Sequence, residues 1–358
     1  MAAGLHLRTV LGLLLSLASD PHPTVHFWAL DALEKTITSA GLSFSSHVPS
    51  CLGIISQLIL SDLFDPEDVP VAMSNVATEF PALAAMIRGI DAIINTLGPD
   101  LSSSKKSRNL ICMLVKEMDY TTNPVIAIEA VRCTQHLTLF APDSVDFRRF
   151  IRRLESNLMS DYPEIQQISC EAIYGLIRKD VSSVFSNACP SFSDELWAML
   201  NGQGQISTDI EDIIRSWVEQ TALTDVKGWI EICLRFLTHS GPQDPGTKGE
   251  ASQIDTSEFV DEAAAFSQSQ GGSIEERSKS YRRWQAVSFA LGCLRRVVDL
   301  NLKTSTPVED RSHPLTVRVG DLIKVAFTAC TSTVIDIRLG GLKLLHDLIK
   351  ASPSRSRC

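Results

Sequence analysis

The stretch Asn123–Cys133, "NPVIAIEAVRC", sets an apolar residue (Ile126) four positions before a small one (Ala130), with Val131 and Cys133 following. Small residues at this spacing on one helical face let a neighbouring helix approach closely, while the apolar positions fill the layer beside it. Asn123-Pro124 ahead of it stops one helix and suits the first turn of the next. The same arrangement recurs through Val25, Ala29, Leu30 and Ala32, and through Ala85, Gly89, Ile90 and Ala92. It returns at Ile165, Ser169, Cys170 and Ala172, at Ala286, Ala290, Leu291 and Cys293, and at Ile337, Gly341, Leu342 and Leu344. Two of these copies, at Val25 and Ile165, likewise follow turn signals, Asp20-Pro21-His22-Pro23 and Asp161-Tyr162-Pro163. The steps from Gly89 to Ala130 and from Ala130 to Ser169 are each about forty residues, the period of two-helix HEAT or armadillo units. The expected fold is all-α, a HEAT/armadillo-like α-solenoid of antiparallel helix pairs.

Composition agrees with this. Of 358 residues, 44% are apolar but only 6% aromatic, which favours helices packed through aliphatic ridges over an aromatic-rich sandwich. The net charge of −9 disfavours binding to a phosphate backbone. Nine cysteines, spread singly, form no C-x-x-C pair; Cys112, Cys133, Cys170, Cys233, Cys293 and Cys330 read as small core residues. A reducing compartment, the cytoplasm, is expected. The segment Val10–Ala18 resembles a signal sequence but reads as a buried helix running into the Asp20-Pro21 turn, and no apolar run reaches the ~20 residues that span a bilayer. HEAT-type repeats are expected over 1–240 and 281–350. Between them, 241–280 is rich in Gly, Ser, Gln and acid and reads as a disordered insert, with a possible short docking helix at Glu258–Phe266. The tail 351–358 reads as loose.

No constellation for chemistry is found, so no catalytic, cofactor or metal residues are assigned. His22 and His26 lack a third ligand, and Pro21 and Pro23 place His22 ahead of its helix. Gly202-Gln203-Gly204 is a lone glycine pair, followed by a capping box, Thr208 to Glu211, expected to open a helix. One surface stands out. Arg148, Arg149, Arg152 and Arg153 share one side of a helix whose other side carries Phe147, Phe150, Ile151 and Leu154. Such a face suits an acidic peptide or a phosphoinositide headgroup, or is simply solvated and paired with Asp146, Glu155 and Asp161. Arg282, Arg283, Arg295 and Arg296 read the same way.

The segments "RWQAVSFALGCLRRVVDLN" (Arg283–Asn301) and "RVGDLIKVAFTACTSTVIDIRLGGLKLLHDLIK" (Arg318–Lys350) resemble the HEAT repeat-containing protein 5 family, which includes a fungal large accessory protein of the type-1 clathrin adaptor. "SLASDPHPTVHFWALDALEKTITSAG", "GIDAIINTLGPDL", "AIEAVRCTQHLTLFAPDSVD" and "VKGWIEICLRFLTHS" agree in order. Family members are several times longer, so the chain resembles a segment of one. The resemblance implies a non-enzymatic, protein-binding scaffold in endosome and trans-Golgi traffic (endocytosis and endosome-to-Golgi retrieval). It implies clathrin-adaptor partners, and membrane association only through them. The alternative is a HEAT scaffold of another kind, such as a transport receptor or phosphatase regulator.

Overall fold

A computed structural model describes residues 2–64, 81–118, 123–200, 205–239, 274–303, 313–332 and 334–351. Every regular element among them is helical. The chain divides into two compact units, Met1–Ile173 and Tyr174–Cys358. The boundary falls inside a helix rather than at the expected insert. The fold is an α-solenoid of antiparallel helix pairs.

In the first unit, α1 (Ala2–Leu17), α3 (Val48–Phe64), α5 (Lys105–Met118) and α7 (Phe147–Leu158) alternate with α2 (Pro23–Ala40), α4 (Ala82–Leu97), α6 (Pro124–Phe140) and the start of α8 (Pro163–Asn187). The second helices form a layer: α2 packs on α4, and α4 on α6. Their starts follow from local chemistry. Proline opens α2 and α6, and the Asn123 side chain accepts the Val125 N–H at 3.0 Å. α2 and α4 also end alike, at Gly41 (φ +52°) and Gly98 (φ +50°), each donating its N–H back to Ile37 or Ile94. That backbone suits only glycine, so the turn is repeated from one unit of the array to the next.

The small-residue positions sit where close packing requires them. Ala29, Gly89, Ala130 and Ser169 are all buried, as are Cys133 and Ala172. Two apolar positions of the pattern, Val25 and Leu342, are exposed instead; beside Val25, His26 takes the interior place, with Nδ1 2.5 Å from the Ala18 carbonyl oxygen. Ser169 is also informative, because its Oγ is buried without a hydrogen-bond partner. A stranded hydroxyl costs roughly 1–3 kcal/mol, so Ser169→Ala is expected to raise stability slightly or leave it unchanged in a urea melt.

The stretch Pro23–Leu60 is apolar and long enough, by composition, to cross a membrane, contrary to the expectation from sequence. Gly41 nevertheless breaks it, a 3-10 segment (Gly41–His47) separates α2 from α3, and Leu33, Ile37, Phe44 and Ile55 lie in the first unit's core. α1 packs on α2, with Leu11 and Ala18 buried.

The second unit holds the end of α8, α9 (Phe192–Met199), α10 (Gln205–Thr221), α11 (Val226–His239), α12 (Ile274–Lys303), the short α13 (Pro314–Val317), α14 (Val319–Cys330) and α15 (Ile335–Ala351). α8 breaks at Asp180, whose extended backbone (φ −158°, ψ 92°) lets its carboxylate accept from the Ser183 N–H and hydroxyl and so start a new helix. Thr208 does not open a helix: α10 already runs from Gln205. α12 begins at Ile274, inside the stretch expected to be insert, while 241–273 with its Glu258–Phe266 motif, Gly202-Gln203-Gly204 and 352–358 lie outside the described residues.

Aromatic residues concentrate in this unit's core. Phe185 stacks on Trp217 (4.0 Å between centroids), Trp217 meets Trp229 edge-on at 4.5 Å, and the Trp229 indole N–H donates to the Thr221 hydroxyl at 2.8 Å. Side-chain amides then tie separate elements together: Gln220 donates to the Ile177 carbonyl, and the buried Asn301 to that of Ala222, besides Val297 in its own helix. α12 packs on α15, and α14 on α15.

Candidate functional site

The second helices of the first unit bring charged side chains together that lie far apart in sequence. Arg88 on α4 sits 3.6 Å from Asp31 on α2 and 3.7 Å from Glu129 on α6. Lys35 pairs with Asp31 at 2.6 Å and Arg132 with Glu129 at 2.7 Å, so the row runs across three helices. Glu129 is only 7% exposed. Burial raises its pKa above the ordinary carboxylate value, with the Arg132 and Arg88 charges pulling the other way. One turn further along, Asp91 on α4 meets His136 on α6 at 2.7 Å, and Asn95 lies 3.2 Å from both. A groove of about 430 Å³ lies along these rows, edged by Glu34, Thr38, Asn95 and Thr96.

A second groove, about 530 Å³, lies in the other unit among α10, α12 and the start of α15. Trp284, Phe289 and Val218 give it an apolar lining, and Glu211, Arg215, Glu219, Arg296 and Asp336 surround them. Arg296 grips Glu219 with two nitrogens, at 2.5 and 2.7 Å, and reaches Asp299 at 3.1 Å. The hydrogen bond from Arg296 holds the Glu219 carboxyl below its usual range. Glu211 moves the opposite way: burial raises it, against the attraction of Arg215 at 3.7 Å. The Arg215 guanidinium lies over the Phe289 ring at 5.6 Å. Paired charges around an apolar floor suit the recognition of a polypeptide segment, with carboxylates and guanidinium groups supplying orientation and the aromatic rings supplying contact area.

The four arginines expected on one helix face are on α7. Phe150, Ile151, Leu154 and Leu158 are buried, whereas Arg148 is exposed and Arg149, Arg152 and Arg153 are half-buried. Arg152 lies 3.9 Å from the buried Glu155, and Asp146 caps the helix by accepting the Arg149 N–H. The second arginine set is different. Arg295 pairs with Asp347 at 2.7 Å and Arg296 with Glu219, so these cations join neighbouring helices instead of forming a free basic face. The side chain of Arg282 lies outside the described residues. His22 precedes α2, and its backbone N–H donates to Asp20. Among the described residues no three potential metal ligands cluster.

The charged rows are the part that reading the sequence missed, although a signal was present. Asp31, Asp91 and Arg132 each stand two places after a small anchor, and Arg88 and Glu129 stand one place before theirs.

Comparison with known proteins bears on the same helices. Residues 314–352, covering α13 to α15, match the family model described as the Laa1/Sip1/HEATR5 HEAT repeat region. The Arabidopsis thaliana protein named Protein SWEETIE is 27% identical over 278 residues, which is 75% of this chain and 12% of that protein. The chain thus spans about an eighth of that relative's length. Two solved structures, both described as engineered proteins, align over 83% and 96% of the chain at 10% and 12% identity, with TM-scores of 0.37 and 0.39. The helix pairs and their repeated turns fit a HEAT-type array, and the match over residues 314–352 makes the chain similar to the Laa1/Sip1/HEATR5 HEAT repeat region.

Proposed function

We propose that the chain is a non-enzymatic scaffold for clathrin-adaptor traffic at the trans-Golgi network and endosomes, binding adaptor or accessory proteins along its second-helix layer. The observation that carries the binding surface is the charged row from Asp31 through Arg88 to Glu129 and Arg132, bordering an open groove on the neighbouring helices α2, α4 and α6. Solenoids recognise partners along such extended faces. The family resemblance supplies the trafficking context. Arg148, Arg149, Arg152 and Arg153 on α7 provide a second contact, for an acidic peptide or a phosphoinositide headgroup.

The test is direct binding of the purified chain to purified type-1 clathrin adaptor complex. Glu34→Lys with Asn95→Arg changes the groove edge without touching the buried Glu129. This pair is expected to weaken binding at least ~10-fold, about 1.4 kcal/mol, with an unchanged circular dichroism spectrum. No binding by the unmodified chain sinks the adaptor assignment, and unchanged binding by the variant moves the docking site elsewhere.

A further inference from the structure

The groove among α10, α12 and α15 is separate from the charged row of the first unit and from the α7 arginines. Two helix faces wall it. Glu211, Arg215 and Glu219 follow one another along α10 in steps of four, and Gln285, Phe289, Gly292 and Arg296 along α12 in steps of four, three and four. α12 packs against both α10 and α15. In a repeat array each repeat contacts only its neighbours, so a further helix pair stacked beyond α15 would not cover this floor.

Gly292 opens the middle of the floor. Glycine inside a helix is less favourable than alanine, and nothing local asks for it at this place. Its φ is not positive, and an added Cβ would meet nothing within 4 Å. The charges are equally one-sided. Both guanidinium groups of the groove are engaged, Arg296 by Glu219 and Asp299, and Arg215 by Asp212 at 2.9 Å and Glu211 at 3.7 Å. Asp336, the third carboxylate of the lining, is exposed and has no ionic partner among the described residues.

We infer that this groove binds an arginine-bearing segment of a partner protein, its guanidinium on Asp336 and its side-chain stem against Trp284 and Phe289. A guanidinium both pairs with a carboxylate through two nitrogens and stacks on an aromatic face, which a lysine does less well. The open floor at Gly292 lets the backbone of the segment lie close to α12. The chain's net charge of −9 draws basic partners towards it. Residues 241–273 of the same chain are a poor occupant, because they carry six carboxylates and one lysine.

Fluorescence anisotropy of the purified 358-residue chain with a short labelled peptide of alternating arginine and leucine tests this. The control is the same peptide with glutamate for arginine. Saturable binding of the arginine probe is expected, at least ~10-fold tighter than that of the glutamate probe. Asp336→Lys should weaken it at least ~10-fold, and so should Gly292→Leu, which fills the floor. Both positions are exposed, so helix content and melting temperature should hold. Glu34→Lys changes the net charge as much as Asp336→Lys does but lies in the first unit, and should leave the probe bound. Equal losses for these two lysine variants would mean general charge attraction and would overturn the inference. No binding of the arginine probe overturns it too, as does equal binding of the glutamate probe or full binding by Gly292→Leu. Tighter binding on Arg311→Ala, or on removal of 352–358 with Arg355 and Arg357, would make this chain's own arginines the occupant and also overturns it. Because Gly292 and Asp336 lie outside the first unit, failure here leaves the adaptor reading standing.

Discussion

Trp229→Ala is expected to cost the second unit about 3–5 kcal/mol, the usual range for removing a large aromatic from a core. Trp229 is only 1% exposed, meets Trp217 edge-on, and donates to Thr221, so truncation opens a cavity at the centre of the Phe185–Trp217–Trp229 cluster. Trp229→Phe should cost far less. It keeps a ring against Trp217, and Thr221 retains its own bond to the Trp217 carbonyl. Urea unfolding followed by far-ultraviolet circular dichroism distinguishes the two. Equal losses for both variants would mean that ring packing is not what holds this core together.

Gly341→Ala is the second large effect, and its sign opposes simple propensity. In an isolated helix this change would gain up to ~1 kcal/mol. Here an added Cβ would stand 2.7 Å from the Ala329 Cβ, 2.7 Å from the Cys330 nitrogen and 2.8 Å from the Ala326 carbonyl oxygen. Backbone atoms of α14 cannot rotate away as a flexible side chain would, so the helix pair must separate. The expected loss is about 1–3 kcal/mol, in the range for overpacking. Gly89→Ala makes the contrast, because its Cβ would meet only Ile55 Cδ1 at 3.6 Å, an ordinary contact. That variant should be neutral or stabilising in a thermal melt. Similar melting temperatures for both would sink the argument that Gly341 is there for close approach.

Both predictions rest on what a one-dimensional pattern shows and omits. The small residues Ala29, Gly89, Ala130, Ser169, Ala290 and Gly341 were legible as anchors because close helix approach leaves a spacing in the chain itself. Which apolar neighbours become exposed was not legible, because Val25 and Leu342 fit the same spacing as their buried counterparts. Exposure depends on whether another helix covers that side, and spacing carries no such information. The capping box at Thr208 misled for a related reason: a favourable local pair of residues does not prevent a helix from starting earlier, and α10 starts at Gln205. The burial of Phe150, Ile151 and Leu154 on α7 was legible because amphipathicity is local. The partners of Arg88, Arg295 and Arg296 are not local. They sit on other helices, so spacing along the chain does not show that these cations join adjacent helices.

The placement of the five tryptophans has an optical consequence. Trp197, Trp217, Trp229 and Trp284 all lie in the second unit, two of them in ring-to-ring contact, while the first unit has Trp28 alone, more than half exposed. Intrinsic fluorescence will therefore follow the melting of the second unit with a strong change in colour and yield. The first unit will unfold almost silently, since its indole is already wet. A fluorescence trace and an ellipticity trace that fail to superimpose would report two separate transitions in one chain, with no label added.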